Sequence, residues 1–180
     1  PLLDPFCGSG TIAIEAALMA RRIAPGKNRR FAFMDWPDFD EKKWKHVLSR
    51  AASLEIRSHA PIFASDRDAG AIQMAQNNAK RAGVLDTIQF DCRAVSAIEA
   101  PSKPGWVVTN PPYGVRVSPD RDLRDLYARL GDVLRANCPE WNTGILCNSD
   151  ILIGQTKIRS LEKVRLINGG LPVTLYCGKV

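Results

Sequence analysis

Short apolar runs alternate with amphipathic segments along most of the 180-residue chain. The runs are rich in β-branched residues and stop at acidic, polar or proline residues, which predicts buried strands at residues 1–4, 61–66, 87–90, 106–109 and 143–148. Apolar residues spaced three and four apart predict helices at residues 12–22, 43–54, 69–81 and 123–137. Asp68 is predicted to cap the third of these helices, and Asn77 and Asn78 within it are expected either to face solvent or to contact a neighbouring loop. Strands that alternate with helices in this way indicate a parallel sheet covered by helices.

The last part of the chain has a different pattern. Two long extended segments, 159–167 and 171–180, flank Asn168-Gly169-Gly170, whose glycines favour a tight hairpin turn. The two strands of a hairpin are antiparallel. We therefore predict an α/β fold with a doubly wound, mostly parallel seven-stranded sheet and a C-terminal antiparallel hairpin, in one domain of residues 1–180.

Aromatic and basic residues are mixed between the first two predicted helices. Four aromatic residues lie among basic ones in residues 25–40: Phe31, Phe33, Trp36 and Phe39. Aromatic side chains beside arginine can stack on nucleic-acid bases, but they more often attach a long loop to the core, and we predict the second role. Trp44 lies on the apolar face of the next helix and is predicted to be a core residue.

A proline-rich motif follows the fourth predicted strand. Asn110-Pro111-Pro112-Tyr113 comes directly after the apolar run 106–109. Two successive prolines cannot continue a sheet ladder and fix their own φ angles, so the chain leaves the sheet there. The motif therefore places an amide and an aromatic ring at the carboxyl edge of the sheet, where open α/β folds bind ligands. A simple strand exit with a capping Asn is the alternative for this motif alone.

A second motif follows the first strand. Asp4 ends that strand, and Pro5-Phe6-Cys7-Gly8-Ser9-Gly10-Thr11 leads into the Ala-rich first helix. Such a glycine turn lets a ligand approach the backbone, and the helix N-terminus behind it offers free N–H groups. The dinucleotide and phosphate-loop patterns are absent, because residue 13 is Ala13 and no Gly-Lys-Ser/Thr follows. The acid at the strand end favours a cationic or zwitterionic ligand.

The two motifs together resemble those of class I S-adenosylmethionine-dependent methyltransferases that modify amino groups. Three further segments narrow the resemblance: Ala24-Pro25-Gly26, Arg30-Phe31-Ala32-Phe33 with Trp36, and Asn168-Gly169-Gly170-Leu171. They are similar to the catalytic domain of THUMP-associated RNA guanine-N2 methyltransferases, also described in older terms as adenine-N6 DNA methylases. The resemblance covers nearly all 180 residues. It implies S-adenosyl-L-methionine as the cofactor and guanine N2 in ribosomal or transfer RNA as the target.

The resemblance also implies roles for the motif residues. The methionine part of the cofactor would be lined by Asp4, Gly8, Gly10 and Thr11, and the ribose would be held by Asp66. Phe6 would also contact the cofactor. The target base would be bound by Asn110, Pro111, Pro112 and Tyr113.

The chain departs from the family pattern after the third strand. The family places an acid for the adenine amino group at the position that is Ala94 in this chain. We expect Asp91 to contact the cofactor in its place, with a backbone group as the alternative.

Composition adds limits to this interpretation. The chain has 25 Lys and Arg against 19 Asp and Glu, a formal net charge of +6, which modestly favours a nucleic-acid partner. Five dispersed cysteines predict reduced thiols in the cytoplasm and no metal site. Neither a signal peptide nor a membrane span is visible in the sequence. The chain starts on a strand without an initiator Met, so we expect a fragment that lacks an upstream RNA-binding domain. The oligomeric state is left open.

Three other functions remain in view. Some adenine-N6 DNA methyltransferases share the glycine motif but place the proline-rich motif before it, opposite to the order here. Glutamine-N5 protein methyltransferases share Asn-Pro-Pro-Tyr but have a different glycine motif. A non-catalytic domain that only binds nucleic acid is supported by Ala94 alone. Neither His46 nor His59 lies near the motifs, and both are predicted to be surface or structural residues.

Overall fold

One seven-stranded sheet organises the chain, in the order β3-β2-β1-β4-β5-β7-β6. The computed structural model describes residues 1–57, 60–101, 104–113, 123–159 and 162–180. The strands are β1 (Leu2–Asp4), β2 (Ile62–Asp66), β3 (Ile88–Cys92), β4 (Trp106–Thr109), β5 (Asn142–Cys147), β6 (Glu162–Asn168) and β7 (Leu171–Lys179). The first five are parallel, and β7 runs antiparallel to both β5 and β6. The predicted fold class is confirmed, with strand ends shifted by at most three residues.

The helices that the structure describes are α1 (Thr11–Ala20), α2 (Glu41–Ser53), α3 (Ala69–Ala82), α4 (Arg124–Asn137) and α5 (Asp150–Gln155). Helix α1 ends two residues before its predicted limit, because Arg22 adopts a left-handed φ of 55° that no helix can continue. Helix α5 was not predicted, since six residues are too few to display a helical period. None of the described helices is long and apolar enough to cross a membrane.

Aspartate side chains cap two of these helices. Asp40 accepts a hydrogen bond from the backbone N–H of Lys43 at 2.9 Å at the start of α2. Asp68 accepts from the N–H groups of Gly70 and Ala71 at 2.7 and 3.3 Å at the start of α3. The cap assigned to Asp68 is thereby confirmed.

The two faces of the sheet are packed differently. On one face, α1 and α3 lie close to the strands, because their inward residues are small: Ala13, Ala17, Ala75 and Ala79 are all fully buried. On the other face, α4 packs larger side chains against β4 and β5, among them Tyr127, Leu130 and Leu134. Both layers hold the strands so that their carboxyl ends meet at one edge of the domain.

The C-terminal hairpin turns on two glycines. Gly169 and Gly170 have φ angles of 57° and 81°, and Asn168 pairs with Leu171 across the turn. Two successive positive φ angles are the signature of a type I′ turn, which few residues other than glycine and asparagine adopt. The hairpin predicted from the sequence is confirmed.

The segment between α1 and β2 corrects two predictions. No residue of α2 is buried, so the assignment of Trp44 to the core was wrong. Trp44 instead packs edge-on against Phe31 and Phe33, with ring centroids 5.9 and 5.2 Å apart. The loop is therefore attached to α2 rather than to the sheet. Trp36, which was also predicted to attach the loop, is 62% exposed.

Candidate active site at the carboxyl edge of the sheet

The two sequence motifs lie side by side because β1 and β4 are parallel neighbours. Leu2 pairs with Trp106, and Leu3 pairs with Val107. From β1 the sheet extends through β2 and β3 on one side and through β4 and β5 on the other. This is a topological switch point, and open α/β sheets bind ligands in the crevice outside the strand ends at such a point.

A buried hydrogen bond joins the two motifs directly. The Thr109 hydroxyl donates to Oδ1 of Asp4 at 2.7 Å, and the backbone N–H of Phe6 donates to the same oxygen at 3.3 Å. Thr109 is the residue before Asn110, so the bond fixes the start of the proline-rich motif relative to the glycine motif. Thr109 was not predicted as a site residue; its position at the end of β4 was the available signal.

Asp4 is a buried acid with one carboxyl oxygen that could bind a positively charged group. Asp4 is only 1% exposed, and its Oδ2 has no hydrogen-bond partner among the described residues. Burial raises the pKa of the Asp4 carboxyl to about 7, with a smaller contribution from the charge of Asp66, although the bonds from Thr109 and Phe6 act in the opposite direction. A buried carboxylate oxygen without a partner is unfavourable, and a bound cation or N–H donor would relieve it.

The glycine loop is held closely against its neighbours. Gly10 caps α1 with a φ of 87°, and a Cβ atom there would lie 3.0 Å from the Cβ of Ala75. Both the backbone angle and the space therefore require glycine. The Cys7 N–H donates to the carbonyl of Ser65 at 3.0 Å. Thr11 begins α1 directly behind the loop, so the free N–H groups of the first helical turn lie at this edge.

Asn78 on α3 supports the same loop from outside. Its Nδ2 donates to the carbonyl oxygen of Ser9 at 2.8 Å, and its Oδ1 accepts from Arg81. The sequence left Asn78 open between a solvent-facing position and a contact to a neighbouring loop, and the structure places it in the second. No local signal distinguishes the two, because the contact spans 69 residues.

Asp66 lies at the end of β2, beside the glycine loop. Its Oδ2 accepts from the N–H of Gly8 at 3.1 Å, and its Oδ1 accepts from the N–H of Asp68 at 3.0 Å. A carboxylate offers about four lone-pair positions, so two acceptor positions stay available beyond these bonds. The arrangement leaves room for the predicted contact to ribose hydroxyls, which stays a prediction.

Asp91 follows next along the sheet and lines a small cavity. Its carboxylate pairs with Arg93 at 3.1 Å, and a cavity of about 90 Å³ is bordered by Asp91, Arg93, Ser65 and Ile98 among others. Ser65 contributes a buried hydroxyl without a partner among the described residues. Ala94 is exposed and supplies no polar side-chain atom. The contact expected between Asp91 and the cofactor stays a prediction.

A tyrosine of α4 contacts the backbone of the proline-rich motif. Pro111 is buried, whereas Asn110 and Pro112 are exposed. The Tyr127 hydroxyl lies 3.3 Å from the carbonyl oxygen of Pro112 and 3.3 Å from the Sγ of Cys147. Burial raises the pKa of Tyr127 far above its usual value, so the hydroxyl keeps its proton and acts as a donor. Tyr127 was not predicted as a site residue.

The C-terminal hairpin reaches the same motif from the side. Asn168 Nδ2 lies 3.2 Å from the hydroxyl of Tyr113, and the Tyr113 ring is half-buried. The turn that the sequence identified as a hairpin signal thus touches the aromatic residue of the motif. Gly114, the predicted loop 115–120 and His59 lie outside the described residues.

The chain is similar to known methyltransferases over nearly its whole length. Residues 1–176 match the family UPF0020, described as RMKL-like, methyltransferase domain. The ribosomal RNA large subunit methyltransferase K/L of Shewanella oneidensis is 40% identical over 175 residues, which are 94% of this chain and 25% of that protein. The protein of the same name from Shewanella sp. strain W3-18-1 is 41% identical over the same shares of the two chains.

Solved structures show the same fold in longer chains. SMU.472, solved in complex with SAH, is 32% identical with a TM-score of 0.89, over 98% of this chain and 47% of that one. A protein from Listeria monocytogenes, described as a predicted N6-adenine-specific DNA methylase, is 33% identical with a TM-score of 0.86, over 98% and 46%. The present chain spans about a quarter of the length of the curated relatives and just under half of these solved chains.

Proposed function

Because the chain belongs to the RMKL-like methyltransferase domain family, we propose that it transfers a methyl group from S-adenosyl-L-methionine to N2 of a guanine in ribosomal RNA. The observation that carries this proposal is the hydrogen bond between Thr109 and Asp4. It brings a buried acid suited to a cation and an exposed amide, Asn110, to adjacent strand ends. Methyl transfer from a zwitterionic donor to an amino group requires two adjacent subsites with these properties.

The cofactor half of the site consists of the glycine motif and the end of β2. The cofactor supplies an activated methyl group on a sulfonium and carries an ammonium group on its methionine part. Asp4 would accept from that ammonium through its free Oδ2, which explains why a buried carboxylate is tolerated there. Gly8 and Gly10 would let the cofactor approach the backbone closely, and Thr11 begins the helix whose first N–H groups would face it. Asp66 would accept from the ribose hydroxyls. Phe6 would complete the lining next to Asp4.

The target half of the site consists of the proline-rich motif. An exocyclic amino group is a poor nucleophile because its lone pair is delocalised into the ring. The side-chain oxygen of Asn110 and the carbonyl of Pro111 would accept its two hydrogens, direct the lone pair and stabilise the positive charge that develops on nitrogen. Pro112 and the hydroxyl of Tyr127 fix the backbone that carries these acceptors. Tyr113 would stack on the base, which must leave its own stack first.

Support for an RNA target comes from the curated relatives and from charge. Both Shewanella relatives are named as ribosomal RNA methyltransferases, and the chain carries a net charge of +6. The Listeria neighbour, described by a DNA adenine activity, makes adenine in DNA the second candidate. The chain spans only part of these proteins, so the assignment to guanine in RNA is a proposal about the domain.

Labelled cofactor distinguishes the two targets. The domain would be incubated with S-adenosylmethionine carrying a radioactive methyl group and either total RNA or genomic DNA from cells that lack the gene. After digestion, the nucleosides would be separated. We expect the label in N2-methylguanosine from RNA, and in neither substrate with the Asn110→Ala variant. Label in methyladenine from DNA, or no label in any nucleic acid despite cofactor binding, would contradict the proposal.

A further inference from the structure

Most of the net charge of the chain is concentrated between α1 and β2. Residues 21–57, here called the basic arm, contain ten Lys and Arg against five Asp and Glu. The arm thus holds five of the six net positive charges of the chain, and the remaining sequence is nearly neutral. A charge excess confined to one segment creates a local positive potential that a polyanion can recognise.

Part of this charge is not neutralised within the arm. Lys43 and Lys45 pair with Asp40 and Glu41 at 3.5 and 2.8 Å. Lys42 has no ion-pair partner among the described residues and is exposed. Arg29 likewise forms no ion pair within the described part of the chain and lies over the ring of Phe31 at 5.9 Å.

An open aromatic groove lies within the same arm. It has a volume of about 360 Å³, and its apolar lining consists of Phe33, Trp36, Phe39, Trp44 and Val47. Its charged lining consists of Lys43, Asp38 and Asp40. Trp36 and Val47 are 62% and 52% exposed. Phe33 in turn stacks on Phe31, with ring centroids 5.5 Å apart and an interplanar angle of 11°. Exposed rings beside cations are the features that bind unpaired bases.

The arm is attached to the domain away from the candidate active site. The Arg21 guanidinium donates to the carbonyl of Gly83 at 2.8 Å and pairs with Asp86 at 3.0 Å. Gly83 and Asp86 come just before β3, so this contact lies at the amino ends of the strands. The motifs lie at the carboxyl ends. The arm therefore begins at the end of the sheet opposite to the motifs, and its groove shares no residue with them.

We propose that the basic arm is a second contact for the RNA substrate, in which an unpaired base stacks on Trp36 while Lys42 and Arg29 neutralise neighbouring phosphates. The inference rests on the proposed function, because it takes RNA as the substrate. The excess of five positive charges within 37 residues favours a polyanion such as RNA as the occupant. Stacking in an open groove tolerates any base, so the arm contributes affinity rather than the choice of nucleotide.

Two substitutions test the two components separately. Stacking on a protein ring is worth about 1–3 kcal/mol per base, so Trp36→Ala should weaken binding about 5- to 150-fold and raise KM for RNA without changing kcat. Lys42→Gln should reduce the slope of log affinity against log salt by about 0.7, the value for one phosphate contact on a single strand. Neither variant should change the affinity for S-adenosylhomocysteine.

The probe is fluorescein-labelled oligouridylate, titrated with the full chain and followed by anisotropy at several salt concentrations. Ile151→Ala on α5 is the matched control for Trp36, because Ile151 is 65% exposed outside the arm. Lys80→Gln on α3 is the control for Lys42, since both residues are exposed helical lysines. Thermal unfolding of each variant verifies that the fold is kept. Weaker oligouridylate binding in Trp36→Ala and a smaller salt slope in Lys42→Gln, with neither change in the controls, would support the arm as an RNA contact.

The outcome also separates this inference from the proposed function. If the wild-type chain binds oligouridylate through Trp36 but methylates no RNA, the arm stands and the proposed function fails. If the wild-type chain methylates RNA while Trp36→Ala leaves both KM and oligouridylate affinity unchanged, the inference about the arm is overturned. Unchanged KM and unchanged oligouridylate affinity are also the results expected if the groove binds a protein instead of RNA.

Discussion

The candidate active site and the basic arm differ in how their side chains are packed. At the carboxyl edge, Asp4 and Tyr127 are buried, and each holds a backbone or side-chain partner from another element. In the arm, no residue of α2 is buried, and the aromatic rings pack mainly on one another. Methyl transfer needs acceptors fixed in position, whereas retention of a polyanion needs exposed charge and rings. These two site residues are thus buried and held by other elements, whereas the aromatic residues of the arm are more exposed and held mainly by one another.

The largest expected effect concerns the buried site: the titration of Asp4 should make the free energy of unfolding depend on pH. The carboxyl has a usual pKa of 3.8 and a folded-state pKa of about 7. Between these values the folded protein keeps a proton that the unfolded chain has lost, so stability without cofactor falls as the pH rises through this window. Asp4→Asn removes the dependence and should be the more stable protein above pH 7 by on the order of 4 kcal/mol.

Urea unfolding of both proteins between pH 4 and pH 8 measures this difference. The variant keeps an oxygen that accepts from Thr109 and Phe6, so the two proteins should have similar stability near pH 4. A difference between them that stays constant over the whole range would show that Asp4 does not titrate as described.

Asp66 tests the cofactor side of the same edge. Loss of hydrogen bonds to a charged group costs about 1.5–3 kcal/mol each, so Asp66→Ala should weaken S-adenosylhomocysteine binding about 10- to 150-fold per lost ribose bond. Isothermal titration measures the affinity. Asp68→Ala is the matched control, because Asp68 caps α3 and should lower stability by about 1 kcal/mol without changing the affinity. Equal affinity in wild type and Asp66→Ala would place the ribose contact elsewhere.

Tyr127 tests whether the proline-rich motif depends on its buried support. Tyr127→Phe removes the hydroxyl that contacts the Pro112 carbonyl and keeps the ring. A neutral hydrogen bond is worth about 0.5–1.5 kcal/mol, so kcat should fall about 2- to 12-fold, while KM for the cofactor stays constant. Steady-state kinetics with varied cofactor measures both. A change confined to thermal stability would assign Tyr127 a purely structural role.

The smallest expected effect concerns the independence of the arm. Trp44→Ala removes a ring that packs on Phe31 and Phe33 but on neither buried cluster. Amide exchange should accelerate in α2 while the free energy of global unfolding changes by about 1 kcal/mol or less. Leu134→Ala, at a fully buried position of α4, should cost about 2–5 kcal/mol by comparison. A global loss of that size in Trp44→Ala would make the arm part of the core.

The regular part of the fold was predictable because its signals are local. The parallel strands show as short apolar runs, and the hairpin shows in Gly169 and Gly170, whose positive φ angles the turn requires. Asp68 could be assigned as a cap because its hydrogen-bond partners follow within three residues. The residues at both strand ends, Asp4 and Asn110, were found because each ends a run or begins a motif at the sheet edge.

The remaining features depend on partners distant in sequence. The contacts of Thr109 with Asp4 and of Asn78 with the glycine loop span 105 and 69 residues, and no periodicity encodes them. Helix α2 has the amphipathic pattern of a core helix, but its apolar face packs against its own preceding loop. A pattern predicts which face of a helix is apolar. It does not predict what that face contacts, which is why Trp44 was misplaced.

The measurement that tests the central claim most directly compares methyl transfer and cofactor affinity in Asn110→Ala. Removal of one preorganised group that stabilises developing charge costs about 100- to 1000-fold in rate, so single-turnover transfer to RNA should fall by that factor. The affinity for S-adenosylhomocysteine, measured by titration on the same preparation, should stay within about twofold of wild type. Asn77→Ala, an exposed Asn on α3, is the control. Equal losses in transfer and affinity, or unchanged transfer, would contradict a site in which Asn110 serves the target base and Asp4 serves the cofactor.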